Sequence, residues 1–526
     1  MKKIQQSILL AGMMASGKST VGKLLAKKLH LPFWDTDQEV EKSRGKSINQ
    51  IFAKEGEAAF RRYELEAIEA CLAKGPAVLA LGGGAVCSKA KLKKLSQAGS
   101  LILLKAKPAN LIKRLQDDQS RPLLKGDLEK KLSKLLAKRE SFYQSIPFKV
   151  VTDDRSPDEL AKEISQRLIS EKSALWVGLG KRSYPLYFLK NSAKLLPWIL
   201  KAHLPSKKLV LVTHRLLDSM YGKNYLKALS KDFEVSKIIL PDGEQHKNLA
   251  TMEKLYTQLV KVGADRETTL IALGGGVLGD MVGFAAATYL RGVPFVQIPS
   301  TLLAQVDSSI GGKTGVDLPQ GKNLVGAFYQ PKLVIMDETL LKTLPKREFV
   351  AGLAEVIKYA AIFDGELFQN LQKRMKSILA TPGKGMEDII RRSCEWKAYV
   401  VEKDEEERSG LRSLLNFGHS LGHAIESLSS YAKYRHGEAV AIGMIYAAKL
   451  SSHRFGFPQK SLEALVNLIK SAGLPVDFPK YSHAQYLNAL KQDKKRLSDQ
   501  INFVYLKKIG QAFTQKTDLS EVLQIL

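Results

Sequence analysis

Short apolar runs bounded by polar residues alternate with stretches of helical spacing through roughly the first third of the chain. Ile8 to Ala11 is the first run; it ends at a glycine turn, and apolar positions from Lys18 to Leu29 then recur at helical spacing. Runs at Val78 to Leu81 and Leu101 to Leu104 repeat the theme, which predicts a parallel sheet covered by helices on both faces. The pattern closes near Leu168. Ile169 to Ala174 is polar, and a new strand-like run opens at Leu175 to Leu179, so the first boundary is placed there. LVLVT from Leu209, KIIL from Lys237, TLIALGGG from Thr269 and FVQIPS from Phe295 then alternate with helical stretches. After Asp337 no further strand is predicted; Lys346 to Ala472 carries long amphipathic patterns punctuated at Gly410, Gly418, Gly437 and Gly456. The expected class is α/β, with units at 1–170, 171–338 (an α/β half) and 339–526 (a mainly helical half).

Length agrees with this division, since 526 residues exceed the roughly 250 to 300 that one core spans. Hydrophobic residues at 44% and charged residues at 25% exclude a disordered or collagen-like chain. The stretch ILLAGMMA runs into a glycine turn instead of a cleavage site, so no signal peptide is expected. No window approaches the roughly 20 apolar residues of a membrane span, and a cytoplasmic protein without membrane partners is expected. Cys71, Cys87 and Cys394 are too few for a disulfide framework and are read as buried thiols. Lysine and arginine (81) exceed aspartate and glutamate (53), a net +28 that suits nucleic acid, an acidic membrane or small anionic substrates, or simply a solvated surface. Charge alone does not choose among them.

GMMASGKST fits G-x-x-x-x-G-K-S between a strand and a helix, through Gly12, Gly17, Lys18, Ser19 and Thr20. Backbone amides at the helix start suit phosphate oxygens, Lys18 would reach the β and γ phosphates, and Ser19 would hold magnesium. Downstream come WDTD with Asp35 and Asp37, FRRYE with Arg61, LGGGA with Gly82 to Gly84, SRPLL with Arg121 and KRESFY with Arg139. Singly these are weak signals; together they describe a pocket in which arginines grip a carboxylate, an aspartate accepts from hydroxyls and bare glycine lets a ring approach. In order and spacing they resemble shikimate kinase over residues 1 to about 170. The resemblance implies a P-loop kinase fold using ATP with Mg2+, with shikimate on Asp37, Arg61, Gly83 and Arg139. Asp35 would support the magnesium shell, Arg114 would lie by the adenine, and Arg121 would ride on a lid over the nucleotide. Lys18, Asp37 and Arg139 would serve γ-phosphoryl transfer to a shikimate hydroxyl. The DTD, FRR and GGGA set argues against gluconate or a nucleoside monophosphate as acceptor.

RSLLNFGHSLGHAIE sets His419 and His423 four apart on one helix face, HGEAV adds His436, and AEVIKYA offers Glu355 with Lys358 one turn on. One carboxylate and two imidazoles would leave a zinc ion open positions for substrate. PDGEQHK carries Asp242, Glu244 and Lys247; ALGGGVLGD carries Gly274, Gly275, Gly276, Val277 and Asp280 after a strand. The glycines would let amides approach a pyrophosphate, although the spacing is not G-x-G-x-x-G. Arg291, Asp307, Lys313, Lys322, Arg412 and Asn416 add groups suited to a substrate with both carboxylate and phosphate.

Residues from about 173 to 526 resemble 3-dehydroquinate synthase over essentially the full length. The resemblance implies a Rossmann-like α/β half and a mainly α-helical half, with Zn2+ or Co2+ on Glu355, His419 and His436. NAD would be held by Asp242, Glu244, Lys247, Gly275, Gly276, Val277, Asp280, Ser300, Thr301 and Thr343, with Lys313 and Lys322 where NAD and substrate meet. A 7-phosphoheptulosonate substrate would be lined by Arg291, Asp307, Lys322, Asn323, Lys358, Lys397, Arg412, Asn416 and His423, with Lys494 or Lys495 reaching its phosphate; Lys313, Lys358, Arg412, Asn416 and His423 would be catalytic. The implied reaction oxidises a ring hydroxyl, eliminates phosphate, returns the hydride, opens the ring and closes a carbocycle by an aldol step. A homodimer through the synthase part is also implied. Two positions depart from the family: His214 in VTHR, where an aspartate or asparagine is common near the adenosine, and the DEEERSG loop, one residue longer than usual.

The leading reading is a bifunctional enzyme of aromatic biosynthesis whose two units work independently, because the synthase product must be dehydrated and reduced before it becomes the kinase substrate. A nucleic-acid-binding NTPase would use the same phosphate loop and the positive charge, but no recognition helix, aromatic-interleaved basic patch or zinc-finger spacing is present. An alcohol dehydrogenase built on the rear unit would accumulate NADH, which a synthase would not.

Overall fold

The structure is a computed structural model describing residues 7–86, 88–116, 128–144, 146, 148–153, 155–430, 433–492 and 500–525. Contacts divide the chain into two compact units, 1–172 and 173–526. The helix Pro157–Ser173 continues through the polar stretch that precedes the second unit.

The first unit is built on five strands, β1 (Ser7–Gly12), β2 (Phe33–Asp35), β3 (Val78–Ala80), β4 (Gly99–Lys105) and β5 (Phe148–Val151), ordered β2-β3-β1-β4-β5 with every neighbour parallel. Alternate residues enter cores on opposite faces: Leu9, Leu79 and Leu103 on one, Ile8, Val78 and Ile102 on the other. Burial on both faces is why these strands read as unbroken apolar runs, each such side chain contributing about 1.5 to 3 kcal/mol.

The second unit opens with β6 (Leu175–Val177), β7 (Tyr184–Leu189), β8 (Lys208–His214), β9 (Glu234–Leu240), β10 (Thr269–Gly274) and β11 (Phe295–Pro299). A hairpin of β12 (Lys313–Leu318) and β13 (Gly321–Phe328) follows, then β14 (Leu333–Asp337). The main sheet runs β6-β7-β14-β11-β10-β8-β9, parallel apart from β6. Its carboxyl edge gathers His214, Gly274 and Ser300, and such an edge is where open α/β sheets bind ligands. The hairpin carrying Lys313, Lys322 and Asn323 is tied down by a bridge between Asn248 and Asp317.

Helices follow. Lys346–Phe363 is buried along most of its length, and His419–Leu428 and His436–Phe455 pack with it in one core. A Cβ on Gly437 would strike the Ala351 carbonyl, and one on Gly443 the Gly418 carbonyl. Glycine at these crossings is what lets the three helices meet closely.

The expectation that strands end at Asp337 is corrected by β15 (Gln500–Lys508) and β16 (Gln511–Asp518), an antiparallel pair turning at Gly510, φ +84°. Its buried Phe503, Val504, Tyr505 and Leu506 lie among lysines, a run too short to announce itself by period. Cys71 and Cys394 are free and buried, and Cys87 lies outside the described residues. No described helix is long and apolar enough to cross a membrane.

Candidate active sites

In the first unit the phosphate loop joins β1 to the Lys18–Leu29 helix. Gly12 and Gly17 adopt φ of +149° and +91°, and a Cβ on Gly12 would meet the Leu104 carbonyl, so this turn suits glycine alone. Lys18 Nζ donates to the carbonyls of Gly12 (3.0 Å) and Met13 (2.9 Å), holding its ammonium over the loop. Ser19 Oγ donates to Asp35 Oδ2 at 2.6 Å, and Asp35 Oδ1 accepts from the Asp37 amide at 3.1 Å. This joins the two residues expected near magnesium, and a hydroxyl with a carboxylate is the hard-oxygen donor set that ion prefers. Thr20 is exposed on the helix's first turn. Arg114 Nη2 donates to the Thr152 carbonyl (2.9 Å) and Nη1 to that of Ala15 (3.4 Å), which ties its helix to the loop. Arg121 lies outside the described residues.

Asp37, Arg61, Gly83 and Arg139 converge beside that loop. The glycine run makes room for them: a Cβ on Gly82 would meet Asp37 Oδ1 and Glu64 Oε1, and one on Gly84 the Arg61 guanidinium. Arg139 Nη1 reaches Met13 Sδ at 3.4 Å and would stand 3.6 Å from a Cβ on Gly83. Sequence reasoning missed Glu64. It is 1% exposed; Oε2 accepts from Arg61 Nη1 at 3.0 Å, while Oε1 is buried without a hydrogen-bond partner. The signal was its position one helical turn past Arg61. A charge-assisted bond of this kind contributes about 1.5 to 3 kcal/mol, so Glu64→Gln should raise the KM for the acceptor that Arg61 grips on the order of tenfold with kcat little changed. Steady-state kinetics with an unchanged KM would remove Glu64 from the site.

In the second unit the helix Gly276–Thr288 starts without a side-chain cap at the end of β10, leaving its amides for an anion. A Cβ on Gly276 would lie 2.8 Å from Ser308 Oγ, itself buried without a partner, and one on Gly275 would lie 3.1 Å from Thr301 Cγ2. Ser300 N donates to the Gly274 carbonyl at 2.9 Å, and Val277 occupies the helix's first turn. This is a backbone cradle that side chains would fill, as a pyrophosphate requires. Lys247, 4% exposed, donates to Asp280 Oδ2 and Asn323 Oδ1, each at 2.6 Å. Lys322 Nζ lies 3.6 Å from Glu244 and 3.9 Å from Glu426, so β13 bridges the cofactor residues and the histidines. Thr343 bonds Tyr221 at 2.7 Å.

The histidine cluster assembles from three helices. Glu355, His419 and His436 bring one ligand atom each within 4.8 Å of the others. His419 Nε2 and His436 Nε2 are 3.5 and 3.7 Å from Glu355 Oε1. Glu355 is fully buried, and neither of its oxygens has a well-directed hydrogen bond, although Lys358 forms an ion pair with Oε2. Burial would raise this carboxyl, but Lys358, His436 and His419 hold it at about 2. Burial and the Lys358 charge push His419 well below its ordinary value, keeping the imidazole neutral and able to ligate. His436 is pushed up to about 10: burial opposes its charge, but Glu355 and Glu426 outweigh burial. A buried carboxylate whose oxygens lack a hydrogen bond, beside two imidazoles, fits a divalent zinc-type ion, which would take the place of the His436 proton. Glu426, a second residue missed from sequence, holds His436 Nδ1 at 3.2 Å, the outer contact that orients a ligating imidazole. His423, one turn past His419, has its ring centroid 5.5 Å away.

Beside the cluster, Asp307 Oδ1 accepts from Lys397 Nζ (2.7 Å) and from Tyr359 OH (2.5 Å), a third missed residue. Burial would raise Asp307, yet Lys397 and Lys358 hold it well below the carboxylate range. The DEEERSG loop folds around Asp404, which accepts from the amides of Ser409 and Arg412, each at 2.9 Å. It presents Glu407 to Lys313 and, at 3.6 Å, to the buried Arg412. Asn416 ends the short helix Leu411–Asn416 that leads to His419. Arg291 is exposed at φ +66° with no hydrogen bond or ion pair among the described residues. Lys494 and Lys495 lie outside them.

Residues 14–169 match the family model "Shikimate kinase", 237–351 match "3-dehydroquinate synthase N-terminal" and 352–496 match "3-dehydroquinate synthase C-terminal". The 3-dehydroquinate synthase of Geotalea uraniireducens is 45% identical over 352 residues, 66% of this chain and 97% of that protein. A 2-deoxy-scyllo-inosose synthase solved with carbaglucose-6-phosphate, NAD+ and Co2+ superposes with TM-score 0.60 at 26% identity, over 67% of this chain and 99% of its own. The 2-epi-5-epi-valiolone synthase of Streptomyces hygroscopicus, solved with NAD+ and Zn2+, gives TM-score 0.60 at 28% identity, over 64% and 94%. The chain therefore belongs to the 3-dehydroquinate synthase family through its larger, C-terminal unit and carries a shikimate kinase domain ahead of it, which makes it a bifunctional shikimate-pathway enzyme.

Proposed function

We propose that the front unit transfers the γ-phosphoryl group of ATP to shikimate around Lys18, Asp37 and Arg139. The rear unit converts 3-deoxy-D-arabino-heptulosonate 7-phosphate to 3-dehydroquinate and phosphate around Glu355, His419 and His436. The observation that carries this reading is the meeting of a fully buried carboxylate and two imidazoles within 4.8 Å, with Lys358 and Asp307 alongside. ATP with Mg2+ serves the kinase; NAD and Zn2+ or Co2+ serve the synthase, as the NAD+- and metal-bound relatives support. When bound, the dinucleotide exchanges a hydride and the divalent ion polarises substrate oxygens. The chain's own groups do the rest. Arg412 and Lys313 draw in the anionic end of the substrate, Asp307 pinned by Lys397 and Tyr359 fixes a ring hydroxyl, and His423 is placed to move a proton. The same reading divides the activities at 1–170, 171–338 and 339–526 and puts the protein in the cytoplasm, which the free buried cysteines support. Its homodimer rests on the resemblance alone, and light scattering tests it.

One assay tests the synthase. Phosphate should be released from the heptulosonate phosphate with NAD present, without net NADH, and chelator should stop it. NADH accumulation without phosphate would turn the reading toward a dehydrogenase.

A pH dependence follows at the cofactor site. Burial pushes Asp280 up to about 6, against the pull of Lys247. A raised carboxyl means the fold favours its protonated form: that contribution to stability is complete below 3.8 and is lost as the pH rises through about 6. The ionised form is the one that pairs with Lys247 at 2.6 Å and orders the cradle. NAD affinity should accordingly fall as the pH drops through about 6, by fluorescence titration of NADH, and Asp280→Asn should flatten the curve. A wild-type affinity constant across that range would count against Asp280.

A further inference from the structure

We propose that Tyr359 is a positioning residue for the synthase reaction: it ties the Asp307 carboxylate to the helix that carries Glu355, so that the hydroxyl acceptor stays in register with the metal ligands. The inference deepens the synthase reading above and rests on it. Asp307 lies in the wide turn Ala304–Ser308, closed by a bond from the Ser309 amide to the Ala304 carbonyl at 3.2 Å, five residues back. An ordinary helical turn would give that amide to Gln305. The Gln305 carbonyl is taken instead by the Cys394 thiol at 3.2 Å, and the Gln305 side chain donates to the carbonyls of Pro299 (3.1 Å) and Asp337 (2.9 Å). The backbone of the turn is therefore held without help from Tyr359.

The Asp307 side chain is held separately. Oδ1 accepts from Tyr359 on the Lys346–Phe363 helix and from Lys397 on the Glu387–Lys403 helix. No described residue donates to Oδ2, which is not buried, and the side chain is 24% exposed. Oδ2 is thus the oxygen left for substrate. The two donors differ in what they bring: Lys397 supplies a charge that balances the carboxylate, whereas Tyr359 supplies a neutral hydroxyl and a direction. The terminal torsion of a carboxylate is broad, so with the hydroxyl removed its two oxygens can swing or exchange places while the ion pair persists. Tyr359 stands four residues past Glu355, about 6 Å along the helix, and is fully buried in a close-packed core. One rigid helix thereby sets the spacing between the Glu355 carboxylate and Oδ2. The charged ends of the substrate are gripped elsewhere, by Arg412 and Lys313, so loss of the tyrosine hydroxyl should misalign the reacting hydroxyl without weakening binding.

The test is Tyr359→Phe in the full chain, assayed by phosphate release from the heptulosonate phosphate. Phenylalanine fills the same space and removes one oxygen. Turnover should fall about ten- to hundredfold, the range spanned by losing a hydrogen bond to a charged group, while KM stays within about threefold of wild type. Metal content per chain and Kd for NADH, by fluorescence titration, should stay within about twofold of wild type, which a merely structural role would not allow. Cys394→Ala, which frees the Gln305 carbonyl on the same turn but leaves both donors on Asp307, should cost less than about threefold in kcat. A kcat loss below about threefold in Tyr359→Phe overturns the proposal, as does loss of metal or NADH binding along with turnover, or an equal loss in Cys394→Ala. A wild-type chain that releases no phosphate overturns the synthase reading and the proposal with it.

Discussion

Glu355→Gln is expected to abolish release of phosphate from the heptulosonate phosphate while leaving ATP-dependent phosphorylation of shikimate within about twofold of wild type. A metal centre supplies several kcal/mol of charge stabilisation, and at about 1.4 kcal/mol per decade its loss corresponds to on the order of 10³-fold in turnover. Glu355 is the one carboxylate of the triad, and its charge is doubly engaged: its oxygens face His419 and His436, and Lys358 pairs with it in the same dry pocket. Glutamine keeps the shape and removes the charge. It therefore also leaves Lys358, 1% exposed, without its counter-ion, a change that costs about 3 to 5 kcal/mol in buried pairs. Two measurements separate the effects. Metal content of the purified variant should be near zero, whereas wild type stripped by chelator and reloaded should regain both metal and activity. Thermal unfolding should show the rear unit destabilised more in the variant than in stripped wild type. A variant that retains its metal and turns over within tenfold of wild type would mean that Glu355 is not a ligand.

The parts of this site legible in the sequence are those whose geometry is local. Gly12 to Thr20 forms its cradle within nine residues, and His419 and His423 share a helix face by their spacing alone. What the sequence concealed was set by contacts far apart in the chain. Gly437 touches Ala351 at a helix crossing, and that contact, invisible to any period, brings His436 to Glu355. Glu64 is the exception, since it stands one helical turn past Arg61; what spacing does not show is that it and Glu426 are buried, one paired with Arg61 and the other with His436. The hairpin bearing Lys313 and Lys322 is another case: β13 alternates weakly and lies largely exposed, so no hydrophobic pattern marked it. The C-terminal β15 and β16 escaped for the related reason that the apolar run FVYL is brief.

Lys18→Ala should lower shikimate phosphorylation by about 10³-fold, with the synthase reaction of the same chain unaffected. In phosphoryl transfer the protein contributes mainly position and charge, because charge spreads over the equatorial oxygens as the transferred group moves. Lys18 is the cation that the fold aims at those oxygens. It leads the helix, its neighbour Gly17 takes the left-handed turn that starts it, and its ammonium is held by the Gly12 and Met13 carbonyls. Binding of a triphosphate would exchange those two carbonyls for phosphate oxygens, so the lysine is already where it is needed. Alanine at this position also releases the loop from its tether, and both ATP affinity and turnover should suffer. Lys18→Arg distinguishes charge from fit: it keeps the charge but spreads it over a wider, planar group that the cradle does not match. It should recover part of the ATP affinity and little of the turnover. If Lys18→Arg restored full turnover, position would matter less than net charge; if Lys18→Ala lost less than about tenfold, the loop would bind nucleotide without catalysing its transfer.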